Sequence, residues 1–315
     1  MNENRGFFAC FHRLGSATPR ETFMREIQYQ TNRNGGRSGH VLKDLFTSVI
    51  LAKLLNAKVV RSPYWKVQKL ISHGNVEQLL HQPNPDLEEF VFKRPKHFWN
   101  GISWEQFQEF RNYFLSLPAF CRVHIASVYR IHLFQIKNWE DQYKISAGMY
   151  DALIEDLRAL YWGNQIPPAA LNEVRKIVIH ARRGDVASPR HPCFRSMGPG
   201  RWSATFYQNT IDSLRERYPQ SVIRLLTEKH GSRDLDMIVG AEVDKGDHTN
   251  LATHFREMLT ADLFVPTNSS LSTWATYLTA GWVAACPTRK IKQFGFHDPP
   301  ANHIKLSDIY HPSGS

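Results

Sequence analysis

The second half of the chain alternates short apolar runs with segments of helical spacing, and this alternation most narrowly limits the folds open to it. Four runs have the composition of strands: residues 176–181, 222–227, 262–266 and 283–286. Helical spacing separates them, at residues 203–218, near 233–239, from 250 and at 271–282. Strands and helices that alternate in this way predict an α/β fold, with a parallel sheet covered by helices on both faces.

The first half contains one similar unit, followed by a stretch without a clear pattern. Residues 22–31 predict a strand, residues 40–56 a helix and residues 58–60 a second strand. The glycine-rich residues 32–39 precede this helix, where a turn suits an anion or sugar hydroxyls, although a plain tight turn requires the same residues. Residues 62–145 are rich in aromatic side chains, which indicate core packing more often than stacking on sugars.

Further elements complete the first half and mark its end. Helices are predicted near residues 75–81 and at 104–116, a clearer helix is predicted at 147–161, and a strand is predicted at 121–133. Gly163 and the pair Pro167-Pro168 then indicate a boundary, because glycine ends helices and proline cannot continue them. We therefore expect an N-terminal domain at residues 1–165, a C-terminal domain at 166–295 and a tail at 296–315.

Charge and composition point to a soluble protein with an anionic partner. The 315 residues carry a formal net charge of +10, and no run rich in lysine or arginine stands out. A phosphorylated substrate therefore explains the charge better than nucleic acid does. The 4 cysteines lack the spacing of a metal site or a disulfide framework, and no apolar stretch reaches the ~18 residues of a membrane span. Residues 1–16 are too polar for a signal peptide, so we expect a cytoplasmic location.

Polar residues follow three of the predicted strands. Two arginines end the first, a Thr-Glu pair ends the next, and a serine-rich turn precedes the last helix: Arg182, Arg183, Thr227, Glu228, Asn268, Ser269, Ser270 and Ser272. The carboxyl ends of parallel strands meet at one edge of a sheet, where open α/β sheets bind ligands. Guanidinium forks, a carboxylate and hydroxyls at a helix N-terminus together suit a nucleoside diphosphate. Singly, each group also has an ordinary explanation as a surface ion pair, a strand-end acid or a helix cap.

The sequence His180-Ala-Arg-Arg-Gly-Asp185 resembles the H-x-R-R-x-D motif of the fucosyltransferase superfamily, which includes the α1,2-, α1,6- and protein O-fucosyltransferases. Residues 259–278 are similar to a later motif of that family, in which an apolar strand, a Ser/Thr-rich turn and a helix follow one another. Gly35-Gly-Arg-Ser-Gly-His40 is similar to the family's N-terminal G-x-x-G-N-Q turn. The resemblance covers most of residues 170–285 but only about 35–60 of the first half.

This resemblance implies a GT-B type fold, in which two Rossmann-like domains with parallel sheets face each other across a cleft. It also implies an inverting transfer of L-fucose from GDP-fucose to a hydroxyl of an oligosaccharide or glycoconjugate, without a metal or another cofactor. Arg182 takes the position of the arginine that binds the donor diphosphate, and is the implied catalytic residue. The implied donor-binding residues are His180, Arg183, Asp185, Thr227, Glu228, Asn268, Ser269, Ser270 and Ser272, and the implied N-domain turn contains Gly36, Gly39 and His40.

Departures from the family pattern leave alternatives open. Gly39-His40 stands where the family has Gly-Asn-Gln, so His40 is either a base or, as we favour, a cap of the turn. Thr227-Glu228 replaces an acidic pair of the nucleoside motif, which leaves another nucleotide sugar open as the donor. Outside the enzymes, a carbohydrate-binding or RNA-binding protein remains the alternative.

Further acidic residues are weaker candidates. Asp234-Leu-Asp236 is a D-x-D sequence, the metal-binding signature of another glycosyltransferase fold, but the helix dipole explains acids at the start of a predicted helix. Four carboxylates are candidates for the general base by residue type alone: Glu88, Glu89, Glu140 and Asp141.

Overall fold

The structure of the chain is a computed structural model. The described residues are 25–30, 38–60, 80–81, 83–92, 102–126, 131, 133–143, 148–162, 173–183, 203–246, 250–267, 269–279, 281–285 and 303–305. Within these ranges no helix combines the length and the apolar character needed to cross a bilayer.

A parallel sheet forms the centre of the first half. Its strands are β1 (Arg25–Gln30), β2 (Lys58–Val60), β3 (Leu80–His81), β4 (Glu88–Phe92) and β5 (Cys121–Ala126), in the order β3-β2-β1-β5-β4. Every described pairing in it is parallel. The helices described in this half are α1 (Ser38–Leu55), α2 (Trp104–Ser116), α3 (Leu133–Tyr143) and α4 (Met149–Trp162).

A second parallel sheet forms the centre of the other half. Its strands are β6 (Lys176–Ala181), β7 (Val222–Glu228), β8 (Glu242–Gly246), β9 (Leu263–Val265), β10 (Trp282–Ala285) and β11 (His303–Lys305). Their order, β11-β10-β9-β6-β7-β8, is that of a Rossmann sheet. The helices described with it are α5 (Ala204–Arg217), α6 (Leu251–Leu259), α7 (Ser270–Leu278) and a 3₁₀ helix at Arg233–Met237. The predicted parallel α/β architecture is confirmed in both halves.

The second sheet is buried on both faces, as alternation along β6 shows. Ile177 and Ile179 belong to the core on the α5 side, whereas Val178 belongs to the core shared with α6, α7 and the first half. Successive side chains of a strand point to opposite faces, so His180 lies on the same face as Val178. The last side chains of β6 therefore point alternately to the two faces of the sheet. The residues of the motif that ends this strand are divided between the same two faces.

Helix α7 joins the two halves. The ring of Trp274 in α7 lies 4.4 Å, between centroids, from the ring of Phe46 in α1. Two side chains of α4 donate hydrogen bonds to carbonyls at the end of α7: Arg158 Nε to Tyr277 O at 2.9 Å and Trp162 Nε1 to Leu278 O at 2.6 Å. These carbonyls have no partner within their own helix, because the last turn of a helix leaves its acceptors open.

A row of charged side chains crosses the first sheet. Glu26 of β1, Arg122 of β5 and Glu89 of β4 stand side by side in register. Arg122 donates to Glu26 Oε2 at 2.9 Å and to Glu89 Oε1 at 2.7 Å, and the Arg122 and Glu26 side chains are only 7% and 3% exposed. Buried charges need such partners, since an unpaired one would carry a large desolvation cost.

Several expectations at the level of single elements need correction. Leu80–His81 is a strand, whereas a helix was expected near 75–81, of which residues 75–79 lie outside the described part. Helix α1 begins at Ser38, so Gly39 and His40 lie in its first turn. The segment expected as a helix near 233–239 is a 3₁₀ helix of 5 residues, and α7 ends at Leu278, four residues before the expected 282. Strand β5 ends at Ala126, short of the expected 133, and Leu133 begins α3. Strands β4, β8 and β11 and helix α3 were not expected, and β11 pairs with β10.

The buried pair in the first sheet should contribute strongly to stability. Replacing Arg122 by methionine leaves the Glu26 carboxylate buried without its cation, so we expect Arg122→Met to lower the free energy of unfolding by about 3 kcal/mol. Urea denaturation followed by circular dichroism measures this change. Arg175→Met is the matched control, because Arg175 forms its ion pair with Glu173 on the surface, where the side chains are 76% and 63% exposed. Similar losses in both variants would contradict the importance of the buried row.

Candidate functional site

The predicted site lies where the second sheet changes direction. From β6 the chain proceeds through β7 to β8 on one side and then crosses to β9 on the other side of β6. At such a switch point the loops after the two central strands diverge and leave a crevice at the carboxyl ends of the strands. Arg182 follows β6 directly, and the serines of the predicted turn follow β9. The predicted residues thus come from both sides of the switch point.

A hydrogen bond connects the two sides of this point. His180 Nδ1, at the end of β6, lies 2.6 Å from Ser272 Oγ in the first turn of α7. The same hydroxyl oxygen accepts a hydrogen bond from the backbone N–H of Thr267 at 3.1 Å. Ser272 is fully buried, so both contacts are shielded from water. One hydroxyl therefore fixes the start of α7 to β6 and to the segment that follows β9.

His180 is held in its neutral form. Burial lowers its pKa to about 3, and the positive charge of Arg182 and the neighbouring His254 act in the same direction. A neutral imidazole has one nitrogen that donates and one that accepts, and Nδ1 is the nitrogen that contacts Ser272. His180 is therefore suited to orienting neighbouring groups by hydrogen bonding, and not to acting as a cation near neutral pH.

The two adjacent arginines have different surroundings. Arg183 is buried; its Nη2 donates to Asp234 Oδ2 at 2.9 Å and its guanidinium carbon lies 5.4 Å from the centroid of the Tyr207 ring. Arg183 thus turns toward α5 and is used within the fold. Arg182 is half-buried, and its positive charge lowers the pKa of His180, which lies on the face of β6 opposite to Arg183.

The two residues of the Thr-Glu pair at the end of β7 also have different hydrogen-bond partners. Thr227 is buried, and its hydroxyl donates to Ala181 O at 2.7 Å, a bond that holds the ends of β6 and β7 together. Glu228 is half-buried, and its Oε2 accepts a hydrogen bond from the backbone N–H of Arg183 at 2.6 Å. A carboxylate has about four lone-pair positions, so this one bond leaves it able to accept from a ligand.

The serine-rich turn forms the cap of α7. Ser269 is the N-cap, and its hydroxyl accepts a hydrogen bond from Ser272 N at 3.0 Å. Ser270 is the first residue of the helix. Capping by Ser269 satisfies one of the open N–H groups of the first turn, and the helix dipole adds partial positive charge there. The hydroxyls of Ser269 and Ser272 thus lie together at the start of this helix.

The remaining predicted residues are not assembled with this group by the described part of the chain. Asp185, Asn268 and Gly36 lie outside the described residues. Gly39 and His40 belong to the first turn of α1, which follows β1 in the other sheet. Their assignment to an N-domain turn of the site stays a prediction.

Three of the four carboxylates proposed by residue type as a general base are placed clearly. Glu89 binds Arg122 in the charged row, and Glu88 precedes it in β4, so both lie in the first sheet. Glu140 Oε1 accepts from the backbone N–H of Tyr150 at 2.6 Å and connects α3 to α4. Glu89 and Glu140 are thus used in holding the fold together, and the base is not identified by these contacts.

The two acids of the D-x-D sequence have ion-pair partners within the fold. Asp234, from the D-x-D sequence, binds Arg183, while Asp236 pairs with Lys245. Both acids therefore have cationic partners.

His254 was not foreseen from the sequence. It is buried in α6, and its Nε2 lies 3.3 Å from Asp244 Oδ1 without forming a hydrogen bond. Its position within the apolar stripe of α6, one residue before Phe255, was a signal available in the sequence.

A glycine makes room for His254. A Cβ added at Gly246, the last residue of β8, would collide with His254 Cε1. The imidazole ring therefore packs directly against the backbone at this strand end, which a side chain at residue 246 would prevent. Among the described residues, no group of three or more His, Cys, Asp or Glu side chains is arranged to hold a metal ion.

Comparisons with known proteins give limited information. No family model matches the chain, and no curated protein matches it. Among solved structures, it is similar to a crystal structure of POFUT1 in complex with GDP-fucose, with 12% sequence identity and a TM-score of 0.38. That match covers 84% of this chain and 97% of the other. At this TM-score the likeness is distant, and the assignment of the fold rests on the strand order of the two sheets.

The neutral state of His180 predicts a pH dependence of stability. Its pKa is about 3 in the folded protein, against an ordinary value of 6.5. Below pH 6.5 the unfolded chain therefore binds a proton that the folded protein does not, so the free energy of unfolding decreases as the pH is lowered toward 3. We expect the wild type to lose stability over this window relative to His180→Asn, by up to ~1 kcal/mol per pH unit.

Urea denaturation of both proteins at several pH values measures this difference. Parallel stability curves for the two would contradict a neutral, buried His180. Histidine ring nitrogen shifts measured by NMR give an independent reading, since His180 should show no protonation near pH 5, well above its folded pKa of about 3.

Proposed function

We propose that this chain is an inverting glycosyltransferase that moves L-fucose from GDP-fucose to a hydroxyl of a glycan without the help of a metal ion. The coarser part of this proposal, a nucleotide-sugar donor, is supported by the position and chemistry of the residues at the switch point. The identity of the sugar and the base is supported by the resemblance of residues 180–185 to the H-x-R-R-x-D motif.

The observation that carries the proposal is the contact between His180 and Ser272. It joins the end of β6 to the start of α7 across the switch point, at 2.6 Å. Arg182 follows β6 directly, and the proposal places its guanidinium group beside the start of α7, with the open N–H groups of that helix and its hydroxyl-bearing residues. Each of these groups favours negative charge, and their combination is suited to a diphosphate.

The proposed chemistry follows from the leaving group. As the bond between C1 of fucose and the diphosphate oxygen breaks, its electron pair remains on GDP, and the guanidinium of Arg182 stabilises the negative charge that develops there. The acceptor oxygen forms the new bond to C1 from the opposite face, which inverts the configuration, and its proton passes to a base. A fixed guanidinium supplies the charge stabilisation for which other transferases use a divalent cation. In this proposal Arg183 and Thr227 act indirectly. They hold the ends of the strands in place.

The donor should be recognised through Glu228 at the end of β7. A carboxylate that accepts hydrogen bonds from the N–H groups of a base edge favours guanine over uracil, which offers fewer donors. We therefore expect GDP and GDP-fucose to raise the melting temperature of the protein by ~2 °C or more at saturating concentration, and UDP to have a smaller effect. A thermal-shift series with and without EDTA measures both the preference and the metal independence.

Glu228→Gln is the matched variant for this experiment, because the amide keeps an oxygen that can accept from Arg183 N and introduces a donor. Its preference for GDP over UDP should decrease. Stabilisation by UDP alone would indicate another nucleotide sugar as the donor, and salt-dependent RNA binding without any nucleotide effect would indicate the non-enzymatic alternative. A strict requirement for a divalent cation would exclude the proposed mechanism.

Arg182 should be needed for turnover and Arg183 for stability. We expect Arg182→Ala to reduce transfer or hydrolysis of GDP-fucose by ~10²-fold or more, because the developing charge loses its cation. Its melting temperature should change little, as the residue is half-buried at a strand end. Arg183→Ala should mainly lower the melting temperature, because it leaves Asp234 without its partner and removes the contact with Tyr207. Near wild-type turnover in Arg182→Ala would remove its assigned role.

A further inference from the structure

An aromatic pair in the first half has no part in the site described above. The rings of Trp104 in α2 and Tyr143 in α3 are stacked, with centroids 5.1 Å apart and planes inclined by 13°. Trp104 also packs on the buried Trp139 and on Phe107, which anchor it in the core. Tyr143 is 41% exposed. We call the stacked pair, together with the adjacent exposed Glu105, the Trp104–Tyr143 platform.

The platform lies toward the carboxyl-end edge of the first sheet. At the opposite edge, the side chain of Arg25, the first residue of β1, donates to Leu117 O at 2.7 Å and to Pro118 O at 3.1 Å, just after the end of α2. Helix α2 runs back from there along the sheet for about 20 Å, which is also the length of a six-residue strand. Its first residue, Trp104, therefore lies near the ends of the strands.

A second contact places α3 at the same edge. Gln135, in the first turns of α3, donates a hydrogen bond to Ile102 O, just before α2 begins. Helix α3 follows the carboxyl end of β5 in the chain, so the start of α2 and the start of α3 meet beyond that end. In open α/β sheets this is the edge at which ligands bind. The platform thus lies at this edge of the first sheet, in the half that does not carry Arg182.

The chemistry of the platform favours a carbohydrate over an apolar protein surface. The face of an aromatic ring carries partial negative charge, on which the C–H groups of a sugar ring pack well. Glu105 is exposed beside it, and hydrogen bonds from the Ser103 side chain, its own backbone and Tyr143 keep the pKa of its carboxyl below the ordinary value. An apolar partner would have to strip water from this charge without replacing its hydrogen bonds, whereas sugar hydroxyls donate to it.

We propose that the Trp104–Tyr143 platform is a carbohydrate-binding subsite, at which one sugar ring stacks on Tyr143 and its hydroxyls donate hydrogen bonds to Glu105. This rests on the proposed function only in the role it assigns, since the bound sugar would be part of the acceptor glycan. Binding of the carbohydrate itself requires neither GDP-fucose nor turnover, so the subsite is testable by itself.

The test uses the full chain and a printed array of neutral oligosaccharides, followed by titration calorimetry with the strongest ligand found. We expect Tyr143→Ala to weaken binding by ~10-fold or more, because the stacking face is lost. Tyr143→Phe keeps the face and should bind within about threefold of the wild type, whereas Glu105→Gln should lose part of the affinity with the charge. Phe120→Ala is the matched control, because Phe120 is also an exposed aromatic residue, at 58%, but precedes β5 at the opposite edge.

Two results would overturn the proposal: no oligosaccharide binds the wild-type chain, or Tyr143→Ala and Phe120→Ala, both shown to be folded by circular dichroism, bind equally well. Stabilisation by GDP is measured on the same samples and separates the subsite from the proposed transferase activity. Loss of GDP recognition with carbohydrate binding intact rejects the glycosyltransferase and leaves the subsite, and the reverse result rejects the subsite alone.

Discussion

The hydroxyl of Ser272 is the contact on which the arrangement of the candidate site depends. It is buried, it meets His180 at the end of β6 and it accepts from the backbone of Thr267 after β9. Two strands that neighbour each other in the sheet are thereby tied to the start of one helix. An alanine in its place would leave a buried imidazole nitrogen and a buried N–H group without partners, which is more costly than the loss of one hydrogen bond in water.

The neighbouring residues of the motif show how strand alternation divides tasks. His180 and Arg183 lie on opposite faces of β6 and its continuation: one meets α7, the other meets Tyr207 of α5 and Asp234. Thr227 and Glu228 likewise separate into a bond to the backbone of β6 and a carboxylate next to the crevice. Arg183 and Thr227 are thus used within the fold, in a motif that looks uniform in sequence.

Much of the fold was predictable from the sequence, and the errors have physical causes. Strands β6, β7 and β9 are apolar because both faces of the second sheet are buried, which gives short runs that are easily recognised. Strand β4 begins with Glu88-Glu89 and β8 contains Glu242, Asp244 and Lys245, so neither has the composition of a strand. Their charges are accommodated by partners from distant parts of the chain: Arg122 for β4, and Arg224 for two of the acids of β8.

The edge of the sheet at which the polar residues lie was also predictable. Parallel strands place their carboxyl ends together, so residues that follow the strands meet at one edge. The different surroundings of Arg182 and Arg183 were not predictable. They depend on Asp234, about fifty residues later, and on the direction in which β6 presents each side chain. Spacing alone could not reveal the bond between His180 and Ser272 either, since it joins two turns that only the strand order brings together.

Helix α7 has a consequence for motion that follows from its length. Its first turn contains Ser272, and its last residues receive hydrogen bonds from Arg158 and Trp162 of the other half. A helix of nine residues is only about 14 Å long and bends little over that distance. The first turn of α7 therefore belongs to the candidate site, and its last turn belongs to the junction between the halves. Any shift of the first turn toward a ligand must be transmitted to the junction, and a rearrangement of the junction must reach the crevice.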